Sequence, residues 1–170
     1  MIIVCCPVLD QLIMEQKFFT INYTEYSSLD ELSREDRELV LSAREATAGA
    51  YAPFSKFKVG AAARLADGTV IKGANQENAA FPSGLCAERV ALFYANASHP
   101  DIPVETLAVT AVQNGAFCPE PAAPCGACRQ VMAEVQKRSG KKLRIILAGS
   151  DRIYVFPSVD SILPLIFDNL

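Results

Sequence analysis

The chain has 170 residues, of which 51% are apolar and 21% charged, enough for one domain with a real core and too short to expect two. A formal net charge of -3 and a pI near 5.2 argue against a polyanion such as nucleic acid as the main partner. A small neutral or cationic partner fits better.

Residues 1–9 are apolar but interrupted at Pro7 and followed by Asp10, with no basic leader, so they predict neither a membrane-spanning helix nor a signal peptide. Met14 begins a more ordinary opening, and the residues before it read as an upstream-start artefact that an intact mass would check. Residues 18–23 predict a short extended arm along the sheet or a neighbouring subunit. Residues 1–30 are thus expected to be an extension and 31–170 the domain. Ser33 is a helix N-cap with Asp36 three residues on, resembling a capping box. In the helix that follows, Leu39, Ala43, Ala46 and Ala50 share a face, and Arg37, Glu38, Arg44 and Glu45 read as its solvated side.

Pro53 ends this helix. Strands are expected over 57–65 and 69–74, joined by Asp67-Gly68 in a type I′ turn. The small residues Gly60, Ala61, Ala62 and Ala63 leave room for something packed close. A helix from near Cys86 to before His99-Pro100 and another over 125–138, closed by Ser139-Gly140, flank an apolar strand at 107–112. Strands at 143–148 and 152–156 and a short helix after Ser158 complete the chain. Strands alternating with helices imply crossovers and a partly parallel sheet. The expected fold class is α/β, a three-layer α/β/α domain around a five-stranded mixed sheet.

Six cysteines are present. Cys5, Cys6 and Cys118 have no evident partner and read as free thiols, whereas Cys86, Cys125 and Cys128 stand in metal-binding spacing, which suits a reducing cytoplasm better than disulfides. Three thiolates without a fourth protein ligand suit a catalytic zinc better than a structural one, which is normally closed by four. His99, the only histidine, lies outside both motifs and reads as an exposed helix end. Glu88, two residues after Cys86, would add negative charge as a ligand to three thiolates; its expected task is to move protons. Cys-x-Glu followed by Pro-Cys-x-x-Cys matches the signature of zinc deaminases.

On these residues, and on Tyr51-Ala52-Pro53-Phe54-Ser55-Lys56-Phe57, Val59-Gly60-Ala61-Ala62, Asn75-Gln76-Glu77-Asn78, Cys86-Ala87-Glu88-Arg89, the run 124–130 and Leu163-Pro164-Leu165-Ile166-Phe167, the chain resembles the small, three-cysteine, homotetrameric cytidine deaminases. The resemblance spans roughly 39–167 in the family's order. It implies a cytidine deaminase-like fold, one zinc ion per subunit, and hydrolytic deamination of cytidine and deoxycytidine to uridine and deoxyuridine plus ammonia. Glu88 would protonate N3 and then carry a proton to the departing amine while water is added at C4.

Three thiolates leave zinc with a formal charge near -1, which weakens its action on water, so compensation is needed. Helix N-termini at the cysteines would supply some. The resemblance assigns Arg89 to the ligand sulfurs, with Arg129 a second candidate. It assigns Asn75 and Glu77 to the ribose 3′-hydroxyl, which admits both nucleosides and rejects a chain-linked nucleotide. The resemblance further implies that Phe57 packs on base or sugar, that the Ala87 backbone N–H meets the pyrimidine carbonyl, and that Phe167 comes from an adjacent subunit of a tetramer with shared sites. Phe81 occupies a position where the family commonly has tyrosine, contributed like Phe167 across a subunit interface; phenylalanine removes the hydroxyl-mediated contact there and leaves a packing role open. Blasticidin S deaminases share the zinc motifs but match less well at 75–78, and a structural zinc module would leave Glu88 and Arg89 unexplained. No nucleic-acid or membrane partner is expected.

Overall fold

Among the described residues one sheet of seven strands, two more than the sequence predicts, carries helices on both of its faces. A computed structural model describes residues 15–168; the expectations about Cys5, Cys6 and Met14 lie outside the described residues. In chain order come β1 (Thr24–Tyr26), α1 (Arg34–Ala46), β2 (Lys58–Leu65), β3 (Val70–Ala74), α2 (Ala87–Ser98), β4 (Val104–Gln113), β5 (Ala116–Phe117), α3 (Gly126–Ser139), β6 (Arg144–Ala148) and β7 (Ile153–Phe156). The sheet runs β1-β7-β6-β4-β2-β3, with β5 paired to β4 off that path. β4 and β6 are parallel, with α3 in the crossover between them; the other pairs are antiparallel.

The two additional strands are short. β1 lies within the segment expected to precede the domain and pairs with β7, Glu25 opposite Tyr154, while Tyr23 packs on the rings of Tyr154 and Phe156. Of the expected arm, Tyr23 is thereby held against this chain's own sheet edge, whereas residues 18–23 form no strand and Phe18 and Phe19 are exposed. β5 returns from β4 through Asn114-Gly115, both at positive φ, the geometry of a type I′ turn. That turn was expected at Asp67-Gly68, where only Gly68 has positive φ. There the Gly68 N–H reaches Leu65 O and the Leu65 N–H reaches Thr69 O, a three-residue loop with its glycine in the left-handed position.

Strand alternation sorts the core into two halves. Ala61, Ala63, Leu107, Val109, Ile145 and Leu147 face α2 and α3 and meet Ala87, Ala91, Leu92 and Met132. Ala62, Ala108, Ile146 and Ala148 face α1 and meet Leu39, Val40 and Ala43. This is the expected three-layer arrangement. The buried stripe of α1 is Asp36, Leu39, Val40 and Ala43, not the run through Ala46 and Ala50, because the α-helix ends at Ala46 and tightens to a 3₁₀ turn. Arg44 also departs from the solvated face: its guanidinium lies 4.8 Å from the Phe117 ring centre and donates to Gly149 O. The final helix is a single 3₁₀ turn at Val159–Ser161.

Candidate active site

Cys86 is the N-cap of α2 and Cys125 the N-cap of α3, both in extended backbone and neither using its side chain to cap. An N-cap with no capping bond leaves its side chain free to point elsewhere, here toward the other helix start. Cys128 sits in the first turn of α3 and is fully buried. The three sulfurs lie within 4.8 Å of one another, with Cys86 to Cys125 at 3.8 Å and Cys125 to Cys128 at 3.5 Å. Four-coordinate tetrahedral zinc with bonds of about 2.3 Å sets its sulfurs about 3.8 Å apart, so the donor set fits zinc. Among the described residues no fourth histidine, cysteine, aspartate or glutamate joins this group. His99 caps the far end of α2 and pairs with Ser98 Oγ.

The glycine of β3 lets α2 come this close. A Cβ on Gly73 would collide with the backbone carbonyl of Ala87 and the backbone nitrogen of Ala91, so the first turn of α2 rests directly on the strand.

Glu88 is 4% exposed. Burial raises its pKa, and the negative Cys86 sulfur adds to that against the hydrogen bonds of its own backbone and of Cys128; this carboxyl holds a proton more readily than a free one. Without metal the thiols divide their protons unequally. Cys128's hydrogen bond and Arg89 pull the Cys86 thiol down to about 5 against the effect of burial, while its bond to Cys86, burial and the Glu88 charge push the Cys128 thiol up. Arg89 donates from Nη2 to Cys86 Sγ at 3.5 Å. Arg129 is directed elsewhere: Nε donates to Pro124 O at 2.8 Å and Nη1 to Ile162 O at 3.1 Å. Its bonds brace the loop before Cys125, and the sulfur-directed bond belongs to Arg89.

A cavity of about 640 Å³ opens beside the sulfurs, walled by Phe57, Asn75, Glu77, Phe81, Cys86 and Arg89 among others. Phe54 and Phe81 meet edge to face at 5.9 Å on its exposed rim. Glu88, Ala87, Cys125 and Cys128 are not among its wall residues. Ala87 opens α2, so its N–H has no partner within the helix.

The 75–78 segment is built into the fold more firmly than a binding loop would suggest. Its backbone bridges Tyr51 on one side and Leu85 on the other. The Asn75 amide accepts from Val59 N at 2.8 Å and donates to Phe57 O at 3.0 Å. Glu77 Oε2 accepts from the N–H groups of Phe54 and Ser55, and hydrogen bonding by Ser55 leads the causes that hold this carboxyl below its ordinary range. Phe167 does not line this chain's cavity. It is exposed on the C-terminal segment, where its backbone is bonded to the Gln130 side chain. Gln130 was missed as a candidate; its place in the run that holds Cys125 and Cys128 was the available signal.

Residues 33–140 match the family model for the cytidine and deoxycytidylate deaminase zinc-binding region. A cytidine deaminase of Halalkalibacterium halodurans is 48% identical over 101 residues, covering 59% of this chain and 72% of that protein. The crystal structure of cytidine deaminase from Burkholderia pseudomallei superposes with a TM-score of 0.66 at 38% identity, over 80% of this chain and all of that one. The enzyme from Mycobacterium tuberculosis gives 0.63 at 31% identity, over 80% and 99%. With sulfurs at zinc spacing on two adjoining helix starts and a buried glutamate beside them, the chain belongs to the cytidine and deoxycytidylate deaminase family.

Proposed function

We propose that this protein converts cytidine and deoxycytidine to uridine and deoxyuridine by zinc-dependent hydrolysis, releasing ammonia. The observation that carries the reading is the joining of Cys86, Cys125 and Cys128 with buried Glu88 next to a cavity sized for a small molecule. Cys86, Cys125 and Cys128 hold the metal, which when bound supplies Lewis acidity that brings water's deprotonation toward neutral pH.

The protein's own groups do the rest. Glu88 takes a proton from water and gives it to N3 as the C4–O bond forms, then delivers the second to the amine as the C4–N bond breaks. Its raised pKa suits a group that must both take and give protons. Arg89 draws negative charge from Cys86, and the N-termini of α2 and α3 add positive potential. Phe57 and Phe81 pack against the nucleoside, and the Ala87 N–H meets the pyrimidine carbonyl. Asn75 and Glu77 hold the ribose 3′-hydroxyl. Asn75 has one N–H and one lone pair beyond those it uses, and Glu77 lines the same cavity.

The remaining parts of the reading follow from the resemblance. Phe167 enters the cavity of an adjacent subunit in a homotetramer, a role its exposure supports. The domain is assigned to 31–170 with 1–30 as an extension whose β1 supplies a sheet edge. Cytoplasmic location accords with the free state of Cys86, Cys118, Cys125 and Cys128; among the described residues no helix is long and apolar enough to cross a membrane. The test compares cytidine, deoxycytidine, cytidine monophosphate and blasticidin S as substrates. Turnover of the two nucleosides is expected; turnover of blasticidin S with neither nucleoside consumed would overturn the substrate assignment.

A further inference from the structure

Helix α3 carries two of the three zinc ligands at its start and grips the C-terminal segment along its flank. Arg129 holds Ile162 O, Gln136 bonds Asp160 Oδ1 and Val159 N, and Lys137 holds Asp168 O. Between these, the Gln130 amide makes a reciprocal pair with one residue: Nε2 donates to Phe167 O at 2.8 Å and Oε1 accepts from Phe167 N at 3.1 Å. An amide bonded to both backbone groups of one residue acts as a strand neighbour would, fixing that residue's backbone direction. It does so where the segment has no regular secondary structure, and the ring it orients is exposed.

We infer that Gln130 is a positioning residue for substrate binding: it pairs with the Phe167 backbone and thereby sets the direction in which that ring leaves the surface toward the cavity of a second copy. The inference rests on the reading of Phe167 as a ring shared between subunits. Gln130 touches no substrate and supplies no proton, so its loss acts on KM. Because α3 both presents Cys125 and Cys128 and holds Phe167, each subunit aligns its own metal site and its contribution to a neighbour's site on one rigid element.

The test uses the full-length zinc-loaded protein as wild type, Gln130→Ala, Phe167→Ala and the double variant, with Gln130→Glu as a second probe that keeps length and acceptor but cannot donate to Phe167 O. Gln130→Ala is expected to raise KM for cytidine about tenfold, the size of two lost hydrogen bonds of modest net worth, with kcat within about twofold. Zinc content and elution volume stay at wild-type values, and Gln130→Glu behaves alike. Phe167→Ala is expected to raise KM about ten- to a hundredfold through lost stacking, and the double variant to be no worse than Phe167→Ala, because Gln130 works through that ring. Amide exchange in the C-terminal peptide is expected to quicken in both Gln130 variants. Unchanged exchange, unchanged KM in the Gln130 variants, or effects that multiply in the double variant would each overturn the inference while an active wild type leaves the deaminase reading standing. An inactive zinc-loaded wild type would remove that reading and this inference together.

Discussion

Glu88 and Arg89 are consecutive on α2, yet they meet different surroundings. Glu88 is buried and holds its proton more readily than a free carboxyl, whereas Arg89 reaches the Cys86 sulfur. On the proposed mechanism, replacing Glu88 by Gln removes the group that moves protons and leaves the donor set intact. We expect zinc at the wild-type ratio and kcat lower by at least about a thousandfold, within the range of general acid–base catalysis. Metal analysis beside a steady-state assay checks this, and a fully active Glu88→Gln would show the role misassigned. Arg89→Ala keeps measurable zinc and loses about ten- to a hundredfold in rate, the usual cost of removing a group that supports metal ligands. Wild-type turnover in that variant would remove the charge argument.

At the scale of elements, the approach of α2 to β3 has a structural signature at Gly73. A Cβ there must move the helix start that carries Cys86, so Gly73→Ala is expected to cost about 1–3 kcal/mol by overpacking and to lower zinc occupancy. A calorimetric melt with metal analysis would show it. α1 is fixed to the sheet by charge: buried Asp36 pairs with Arg144 on β6 and with Arg64 on β2. Burial alone would raise the Asp36 pKa, but the Arg144 hydrogen bond and charge, Ser33 and the Arg64 charge outweigh it and hold the carboxyl below its ordinary 3.8. A depressed folded pKa stabilises the ionised form, so the contribution is complete above about pH 4 and is lost as pH falls through the lower folded value. Asp36→Asn is expected to cost about 1–3 kcal/mol near neutrality, with a smaller deficit at the acid end of a urea unfolding series. An equal deficit at every pH would rule out this charge network as the source.

Much of this was legible locally. Ser33 caps α1 by accepting from Asp36 N, Gly140 ends α3 in the left-handed conformation, and both cysteine motifs start helices. These features are written within a few residues. The type I′ turn could have been read from Asn114-Gly115, which is a stronger signal for it than Asp67-Gly68. What could not be read locally joins distant parts: β1 against β7, Arg44 over Phe117, and the Gln130 amide on Phe167, 37 residues away. No local periodicity encodes a glutamine paired with a distant backbone. The bonding of Asn75 escaped for the same reason: its amide secures Val59 on β2 and Phe57 just before that strand.

For the whole molecule, the site is assembled from separate stretches that the sheet brings together: 54–57, 75–78, 81–89 and 125–128. One chain supplies three sulfurs, a buried glutamate beside them and a cavity wall. An exposed Phe167 and exposed rings at Phe54, Phe81, Phe93 and Tyr94 suit association with further copies. If sites are shared, specific activity is expected to fall on dilution in step with dissociation measured by light scattering; constant activity in a fully dissociated sample would show each chain sufficient. The central claim is that these sulfurs hold a zinc ion that works with Glu88 to remove the amine of cytidine. The most direct measurement is stoichiometric: purified protein of known zinc content is mixed with cytidine, and uridine and ammonia are quantified together. The account predicts one zinc per chain and equal amounts of the two products, abolished by chelation and restored by zinc; a fully zinc-loaded protein that leaves cytidine and deoxycytidine intact would contradict it.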